Sequence, residues 1–494
     1  MAKVFVLSCI TVIASTFGVW FFNWHHPTIS HKRMPSPTAE DTTTPWYLPA
    51  VELSLKEAMP RGVLLITVDT LRADYLSAYG NARIFTPGFD KLAASGVLFR
   101  RAIAAATTTT PSHASLMTSL YLQDHNIYSN FEALGNRAQT MAEIFHDHGY
   151  KTFALVNMRH LNPDISNLGQ GFDHVVKSGF MRRAEPSIAQ LIDWLDGLRE
   201  NEQFFAWIHL ADVHTPYRPP KPYDQLYYGE DEHAPYKKSL KNIWSSLPKH
   251  MSDHPFFQSW LSEITDLQWV LAQYQGAVSY VDEQFDRLLG ELTTRNVIQQ
   301  TAIVLTADHG ESLGEHDMYF VHTGLYDVTA HVPLIMYLPG LSRPGIEVRD
   351  VVETVDVLPT LLETMHLPIP TNIRGKSLWP LIHGEVGDAN TMALIEHAGR
   401  SLVALRSDRY KYIQHLRTLH IQPSYPFVVG KEELYDLERD PGETDNLVTE
   451  KPELAQTFRQ ELHNRRATKL NFEPGENQLN QETIAVLRTL GYVR

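Results

Sequence analysis

Between residues 62 and 68 the chain reads GVLLITV, a continuous apolar, β-branched run of strand length. Such a run has no polar face, so it suits a strand covered on both sides in a parallel sheet. TFALV (152–156), FFAWIHL (204–210), TAIVLTA (301–307) and PLIMYL (333–338) repeat the pattern. The stretches between them change period. FDKLAASG (89–96) and MAEIFHDHG (141–149) each close on a glycine C-cap signal, and YQGAVSYVDEQFDRLLGEL (274–292) has apolar residues at helical spacing. Strands alternating with helices predict an α/β fold, a mainly parallel central sheet with helices on both faces. No repeat of solenoid length is visible. The tail has another texture: LVALRSDRYKYIQH (402–415) reads as a hairpin, ELYDLERDPGETDNL (433–447) as a strand and turns, and 452–466 as a helix. The expected organisation is a catalytic α/β domain over 61–390 and a small C-terminal α+β subdomain over 391–494.

Ahead of this lies VFVLSCITVIASTFGVWFF (4–22), a run without a charge, preceded by Lys3 and closed by aromatic residues. It reads as a signal-anchor helix within 1–24, the membrane partner of the chain, followed by a polar Pro/Thr-rich linker over 25–60. The expected location is a single-pass membrane protein with an exported catalytic domain; the competing reading is a cleaved signal peptide and a secreted enzyme.

Composition narrows the chemistry. Hydrophobic residues at 43% and charged residues at 20% are globular values. With 43 basic against 57 acidic residues, the net charge of −14 argues against a nucleic-acid surface, which needs clustered cations. The single cysteine, Cys9, lies in the apolar run, which leaves the globular part without disulfide, zinc–thiolate or cysteine-nucleophile chemistry. The 24 histidines are a large stock of metal ligands and acid–base groups.

Ligands of open parallel sheets bind beyond the carboxyl ends of the strands, and three of the runs place polar groups there. Asp69 follows the first, Asp212 and His214 follow FFAWIHL, and Asp308 and His309 follow TAIVLTA. One such aspartate is an ordinary cap; three in register are harder to dismiss. Asp69, Asp308 and His309 offer two carboxylates and an imidazole, a set suited to one divalent cation such as Mn²⁺, Zn²⁺, Mg²⁺ or Ca²⁺. In ATTTTPSHASLMTSLYL (106–122), Pro111 suits a first helical turn with Thr110 as its cap, which puts Thr109 at the positive end of a helix dipole. A threonine hydroxyl coordinated to a divalent cation becomes a usable nucleophile.

With these residues in place the chain resembles the sulfatase family of the alkaline-phosphatase superfamily over most of residues 60–494. LLITVDTLRADYLSAYG (64–80), TPGFDKLAASGVLFRRAIA (86–104), TTPSHASLMTSLY (109–121), IHLADVHTPYRPP (208–220), LTADHGESLGEHD (305–317), HTGLYDVTAHVPLIMYLPG (322–340), ELYDLERDPGETDNL (433–447) and a closing helix LRTLGYV (487–493) occur in the family's order. The resemblance implies that Asp69, Asp308, His309 and Thr109 bind the metal and that Thr109 stands where the family has its nucleophile. In standard members that position is a Cys or Ser converted to formylglycine within C/S-x-P-S-R. Here the pattern is T-x-P-S-H: His113 replaces the arginine, Asp308-His309 an Asp-Asn pair, and Thr70 the second residue of an Asp-Asp pair. No formylglycine is expected. A threonine ester must be cleaved by water at the central atom, which phosphorus accepts more readily than sulfur. The expected activity is therefore hydrolysis of phosphate diesters or monoesters ahead of sulfate esters, on a small-molecule, glycan or lipid ester. The alternatives are a sulfuric ester hydrolase proper and a non-catalytic membrane-anchored module.

By the same resemblance His214 is the first candidate for the acid that protonates the leaving oxygen, and His322 the second; both would contact substrate. His113 would touch the non-bridging oxygens or orient the nucleophile. His316 and Asp317 are read as structural ahead of a place around the metal, Asp356 as a strand-end cap, and Lys411 as a strand-surface residue. The Tyr-, Trp- and Pro-rich stretch 216–270 is a candidate lid whose aromatics either stack on substrate or pack it onto the domain.

Overall fold

The computed structural model describes residues 48, 60–177, 181–247, 252–253, 255–385, 392–422 and 425–476, all within the compact unit Trp46–Arg494. The apolar run 4–22, most of the linker and the closing segment 487–493 lie outside the described residues. Among those described, no helix is long and apolar enough to cross a membrane.

In chain order the strands of the central sheet are β1 (Gly62–Val68), β2 (Val97–Ile103), β3 (Lys151–Leu155), β4 (His174–Val176), β5 (Phe204–Leu210) and β6 (Thr301–Thr306). After a separate two-stranded pair, β7 (Ser312–Leu313) with β8 (Tyr319–Val321), come β9 (His331–Tyr337) and β10 (Ile346–Glu353). The eight-stranded sheet has the order β10-β2-β9-β6-β1-β5-β3-β4. Its centre consists of the runs that read as apolar throughout: every residue of β1, β5 and β6 is buried, as covering on both faces requires. All neighbours are parallel except β9, which runs antiparallel to both β2 and β6. The apolar run PLIMYL is thus a strand, but a reversed one. Apolarity reports cover on both faces and carries no direction.

The tail forms a four-stranded antiparallel sheet from β11 (Met392–Glu396), β12 (Leu402–Ser407), β13 (Tyr410–His415) and β16 (Glu432–Asp436), with β14 (Leu419–Gln422) and β15 (Tyr425–Phe427) as a separate hairpin. Helix Pro452–Ala467 lies against it: Phe458 joins Tyr412 and Leu434 in one apolar cluster.

One position corrects the expected surface of this sheet. Lys411 is fully buried, with Nζ 2.5 Å from Asp327 and 2.9 Å from Glu443. Because β13 packs on helix Pro452–Ala467 on one side and meets Asp327 of the main domain on the other, both faces are covered, and alternation along the strand does not mark solvent.

Candidate active site

β1 lies between β5 and β6, so the residues that follow these three strands converge at one edge. Asp69 extends the ladder by donating its N–H to Leu210 O (2.8 Å). The chain then turns sharply: Thr70 has φ 58°, a left-handed conformation that costs a β-branched residue about 1–3 kcal/mol. Three bonds hold it there. Its N–H donates to Asp308 Oδ1 (3.3 Å), its hydroxyl to Val213 O (3.0 Å), and its carbonyl accepts from the Tyr274 hydroxyl (2.7 Å). After β6, Gly310 passes so close to Val328 that a Cβ would lie 2.2 Å from the Val328 carbonyl oxygen. Glycine is needed there for the backbone carrying Asp308 and His309 to pair with 328–329.

The carboxylates and imidazoles meet in the interior. His309 Nε2 lies 3.3 Å from Asp308 Oδ2, 3.9 Å from Asp69 Oδ1 and 3.4 Å from Thr109 Oγ1. Its Nδ1 is 3.0 Å from Gly310 O, which places the proton on Nδ1 and turns the Nε2 lone pair toward the carboxylates. Asp69, Asp308 and His309 offer ligand atoms within 4.8 Å of one another. Both oxygens of Asp69 and Oδ2 of Asp308 are buried without a hydrogen bond. Leaving such oxygens unpaired costs several kcal/mol, and a bound cation removes that cost. The set therefore fits a divalent metal ion.

Burial pushes Asp69 up, but the imidazoles of His214, His209 and His309 outweigh it and hold the group well below the ordinary carboxylate value. Burial and the Asp69 charge push Asp308 up to about 7. One carboxylate is ionised and the other retains a proton that a cation would expel.

Thr109 opens helix Thr109–Thr118, two residues earlier than expected, with Thr108 rather than Thr110 at the cap position. Ser112 of this helix donates to the Asp308 carbonyl (2.6 Å), fastening the helix to the loop after β6. His113 is fully buried; Nδ1 lies 2.8 Å from Thr109 O and Nε2 3.0 Å from Thr67 Oγ1, which also accepts from Trp207 Nε1 (3.0 Å). Both its nitrogens are engaged within the protein, an arrangement suited to orienting Thr109.

His214 Nδ1 is bound to Thr215 O (2.6 Å), which leaves Nε2 as its free atom. The His322 ring lies 4.4 Å from that of His309 and 5.8 Å from that of His214, and its side chain keeps 24% exposure. Burial lowers the pKa of both histidines, and His309 and His214 lower His322 further.

Other residues fall elsewhere. Asp212 turns to the start of helix Ala184–Asp196; burial pushes it up to about 7 against the pull of Arg183 and the Ala184 N–H. His316 stacks on Tyr326 at 3.6 Å, and neither it nor Asp317 joins a metal-competent group among the described residues. Asp356 accepts from the Glu353 and Lys376 N–H groups, a cap at the end of β10. In the stretch 216–270, Tyr217 and Trp260 are buried against each other and against Phe320, so these aromatics pack. Two groups at the site escaped sequence reasoning, His209 within β5 and Glu311. His209 carried a signal, being a polar residue in a strand covered on both faces. Glu311, fully buried with its Oε1 3.9 Å from His322 Nδ1, carried none beyond its nearness to His309.

The family model described as Sulfatase matches residues 61–367, and one described as N-sulphoglucosamine sulphohydrolase, C-terminal, matches 314–469. Arylsulfatase K of Rattus norvegicus is 24% identical over 462 residues, covering 83% of this chain and 79% of that protein. The multifunctional alkaline phosphatase superfamily protein PehA of Trinickia caryophylli is 25% identical over 484 residues, covering 78% and 91%. The crystal structure of phosphonate monoester hydrolase of Agrobacterium radiobacter superposes with a TM-score of 0.65 at 22% identity, covering 83% of this chain and 95% of that one.

Proposed function

The chain belongs to the sulfatase family of ester hydrolases, and from that membership we propose that it hydrolyses phosphate diesters and monoesters ahead of sulfate esters, with Thr109 as nucleophile. Asp69 Oδ1 and Asp308 Oδ2, buried without a hydrogen bond around His309 Nε2, which lies 3.4 Å from the Thr109 hydroxyl, carry the proposal. Asp69, Asp308, His309 and Thr109 would hold one divalent cation, with Mn²⁺, Zn²⁺, Mg²⁺ and Ca²⁺ all compatible with the donors. Such an ion supplies positive charge to the site and lowers the pKa of a coordinated hydroxyl.

The remaining steps belong to the chain. Thr109 Oγ1, its proton released to solvent once its pKa is lowered, attacks phosphorus, forming a P–O bond as the bond to the leaving oxygen breaks. That oxygen takes a proton from His214 Nε2, the atom left free by the Nδ1 contact with Thr215 O, or from the ring of His322, the more exposed of the two. Burial disfavours charge on both imidazoles, and the arriving anion restores it. Water then attacks phosphorus, giving a proton to the imidazole that protonated the leaving oxygen, and the bond to Thr109 Oγ1 breaks to leave the alkoxide with which the cycle began. His113 keeps the first turn of the helix in place through Thr109 O. A threonine ester has no aldehyde to collapse to, so this second attack at the central atom decides turnover and favours phosphorus. Relatives named for both arylsulfatase and phosphonate ester chemistry support a site able to take either ester. The uncharged run 4–22 supports an exported, membrane-anchored enzyme.

The test is a parallel assay of a bis-aryl phosphodiester, an aryl phosphate and an aryl sulfate with each of the four metals. Phosphoesters should be turned over faster. Turnover of the aryl sulfate alone would overturn the substrate order, and absence of all three activities with every metal would return the chain to a binding role.

A further inference from the structure

His209 sits inside the apolar strand FFAWIHL, fully buried between Ile208 and Leu210. In the register of β1 with β5 it is the partner of Thr67, so it shares a sheet face with Thr67, Asp69 and Trp207. His113 covers that face, its ring 5.0 Å from the His209 ring in an edge-on arrangement. An imidazole buried there costs free energy unless its N–H finds an acceptor. Asp69 Oδ2 lies 3.4 Å from Nε2, near but not aligned for a hydrogen bond, and among the described residues neither ring nitrogen is hydrogen-bonded to another group. The other oxygen, Asp69 Oδ1, faces His309 instead. The two oxygens of one carboxylate thus look toward two different imidazoles.

We infer that His209 is a positioning residue that holds Asp69 Oδ2 through a proton on Nε2, so that Oδ1 alone is offered to the cation. A carboxylate held in this way binds through one oxygen and leaves room around the ion for the Thr109 hydroxyl and a substrate oxygen, and groups that orient a ligand typically change metal affinity about 10–100-fold. The inference rests on the proposed cation site. Ligand atoms of His113, His209 and Asp308 also lie within 4.8 Å of one another, the spacing of a second ion. The hydrogen bonds that engage both nitrogens of His113 argue against that use.

The full chain, His209→Leu and His209→Gln are to be compared by ion count per chain and by Mn²⁺, Zn²⁺, Mg²⁺ and Ca²⁺ affinity in competition with a chromophoric chelator, with circular dichroism as the check on folding. Wild type should bind a single ion. His209→Leu should weaken it about 10–100-fold, and His209→Gln, whose amide can still donate toward Oδ2, should stay within about fivefold of wild type. If the leucine variant does not fold, His209→Asn takes its place with the same expectation, because its shorter amide falls short of Oδ2. Leucine (or asparagine) affinity within about twofold of wild type, or glutamine as weak as leucine, overturns the inference while leaving the catalytic reading intact. So does a second ion lost in the leucine variant, which would make His209 a ligand. A wild-type protein that binds none of Mn²⁺, Zn²⁺, Mg²⁺ and Ca²⁺ instead overturns the catalytic reading, and the inference with it.

Discussion

Two groups of buried charge lie in this molecule, and they are built on opposite plans. At the junction of the two sheets, Asp327 is met by Lys411 at 2.5 Å and Arg406 at 3.2 Å, Glu443 is met by Lys411 at 2.9 Å, and the Asp327 N–H donates to Glu443 Oε2 at 2.6 Å. Fixed cations balance the acids. At the carboxyl edge of the central sheet, the salt-bridge partners of Asp69 and Asp308 among the described residues are imidazoles alone: His209, His309 and His113. Burial drives His113 toward its neutral form, well below the ordinary histidine value, and three carboxylate oxygens remain unpaired. At the junction Asp327 Oδ1, Glu443 Oε1 and Lys411 Nζ also lack a well-aligned hydrogen bond, but each carboxylate has a fixed cation within 3.2 Å. The strand-end carboxylates have imidazoles alone beside them among the described residues, and that lack of a fixed cation makes the cluster the candidate site.

The largest effect should come from the edge. Thr109→Ala should lower turnover of the preferred ester by roughly 10⁴-fold or more at saturating metal, since among the described residues no other hydroxyl is hydrogen-bonded to His309. Steady-state kinetics on the variant, with circular dichroism to establish that it folds, measures this. Activity within about tenfold of wild type would remove Thr109 from the chemistry.

The contrast also explains what could be read without a structure. Asp69, Asp308 and His309 were legible because each directly follows a strand apolar on both faces, and parallel-sheet geometry brings the ends of such strands together. β2 and β10 were not, since VLFRRAI and IEVRDVVE interleave charges with apolar residues, and their partly exposed positions hide them from a search for apolar runs. Lys411 looked like a surface residue because its partners, Asp327 and Glu443, stand far from it in the chain and no local pattern announces a second covered face. His209 was hidden by its own surroundings, an apolar strand read as pure core. The register with β1 that brings it beside Asp69 belongs to the fold and not to the local sequence.

At the junction the expected loss is one of stability. Lys411→Met keeps the length of the side chain and removes its charge, leaving Asp327 and Glu443 buried together with Arg406 as the fixed cation that remains beside Asp327. Removing one partner of a buried ion pair costs about 3–5 kcal/mol. Urea unfolding should show that loss, while kcat of the folded fraction stays near wild type. The mirror experiment at the edge should have the opposite sign. In a chelator at pH 8, Asp308→Asn should stabilise the metal-free protein by about 1–3 kcal/mol, because burial and Asp69 make ionisation of Asp308 costly, while abolishing metal binding. Destabilisation of the metal-free protein by Asp308→Asn would break the distinction between the two clusters.

The smallest effect is a pH dependence at the junction. Lys411 and Arg406 hold Asp327 well below the ordinary carboxylate value against the penalty of burial, so Asp327 carries the charge. Burial, with the Asp327 charge adding to it, pushes Glu443 up to about 7 although Lys411 pulls the other way. The folded protein therefore keeps a proton on Glu443 in the range from about 4.3 to about 7 where the unfolded chain has lost it. Because the folded state binds more protons there, stability is fullest below the unfolded value and falls as pH rises through the folded one, at no more than about 1.4 kcal/mol per pH unit. Glu443→Gln keeps an acceptor for the Asp327 N–H and cannot ionise. Urea midpoints measured from pH 5 to pH 8 should decline less steeply in the variant than in wild type, with the gap between the curves widening up to about pH 7 and then holding constant. Parallel curves would mean that Glu443 is ionised throughout, and that Lys411 balances two charges in place of one.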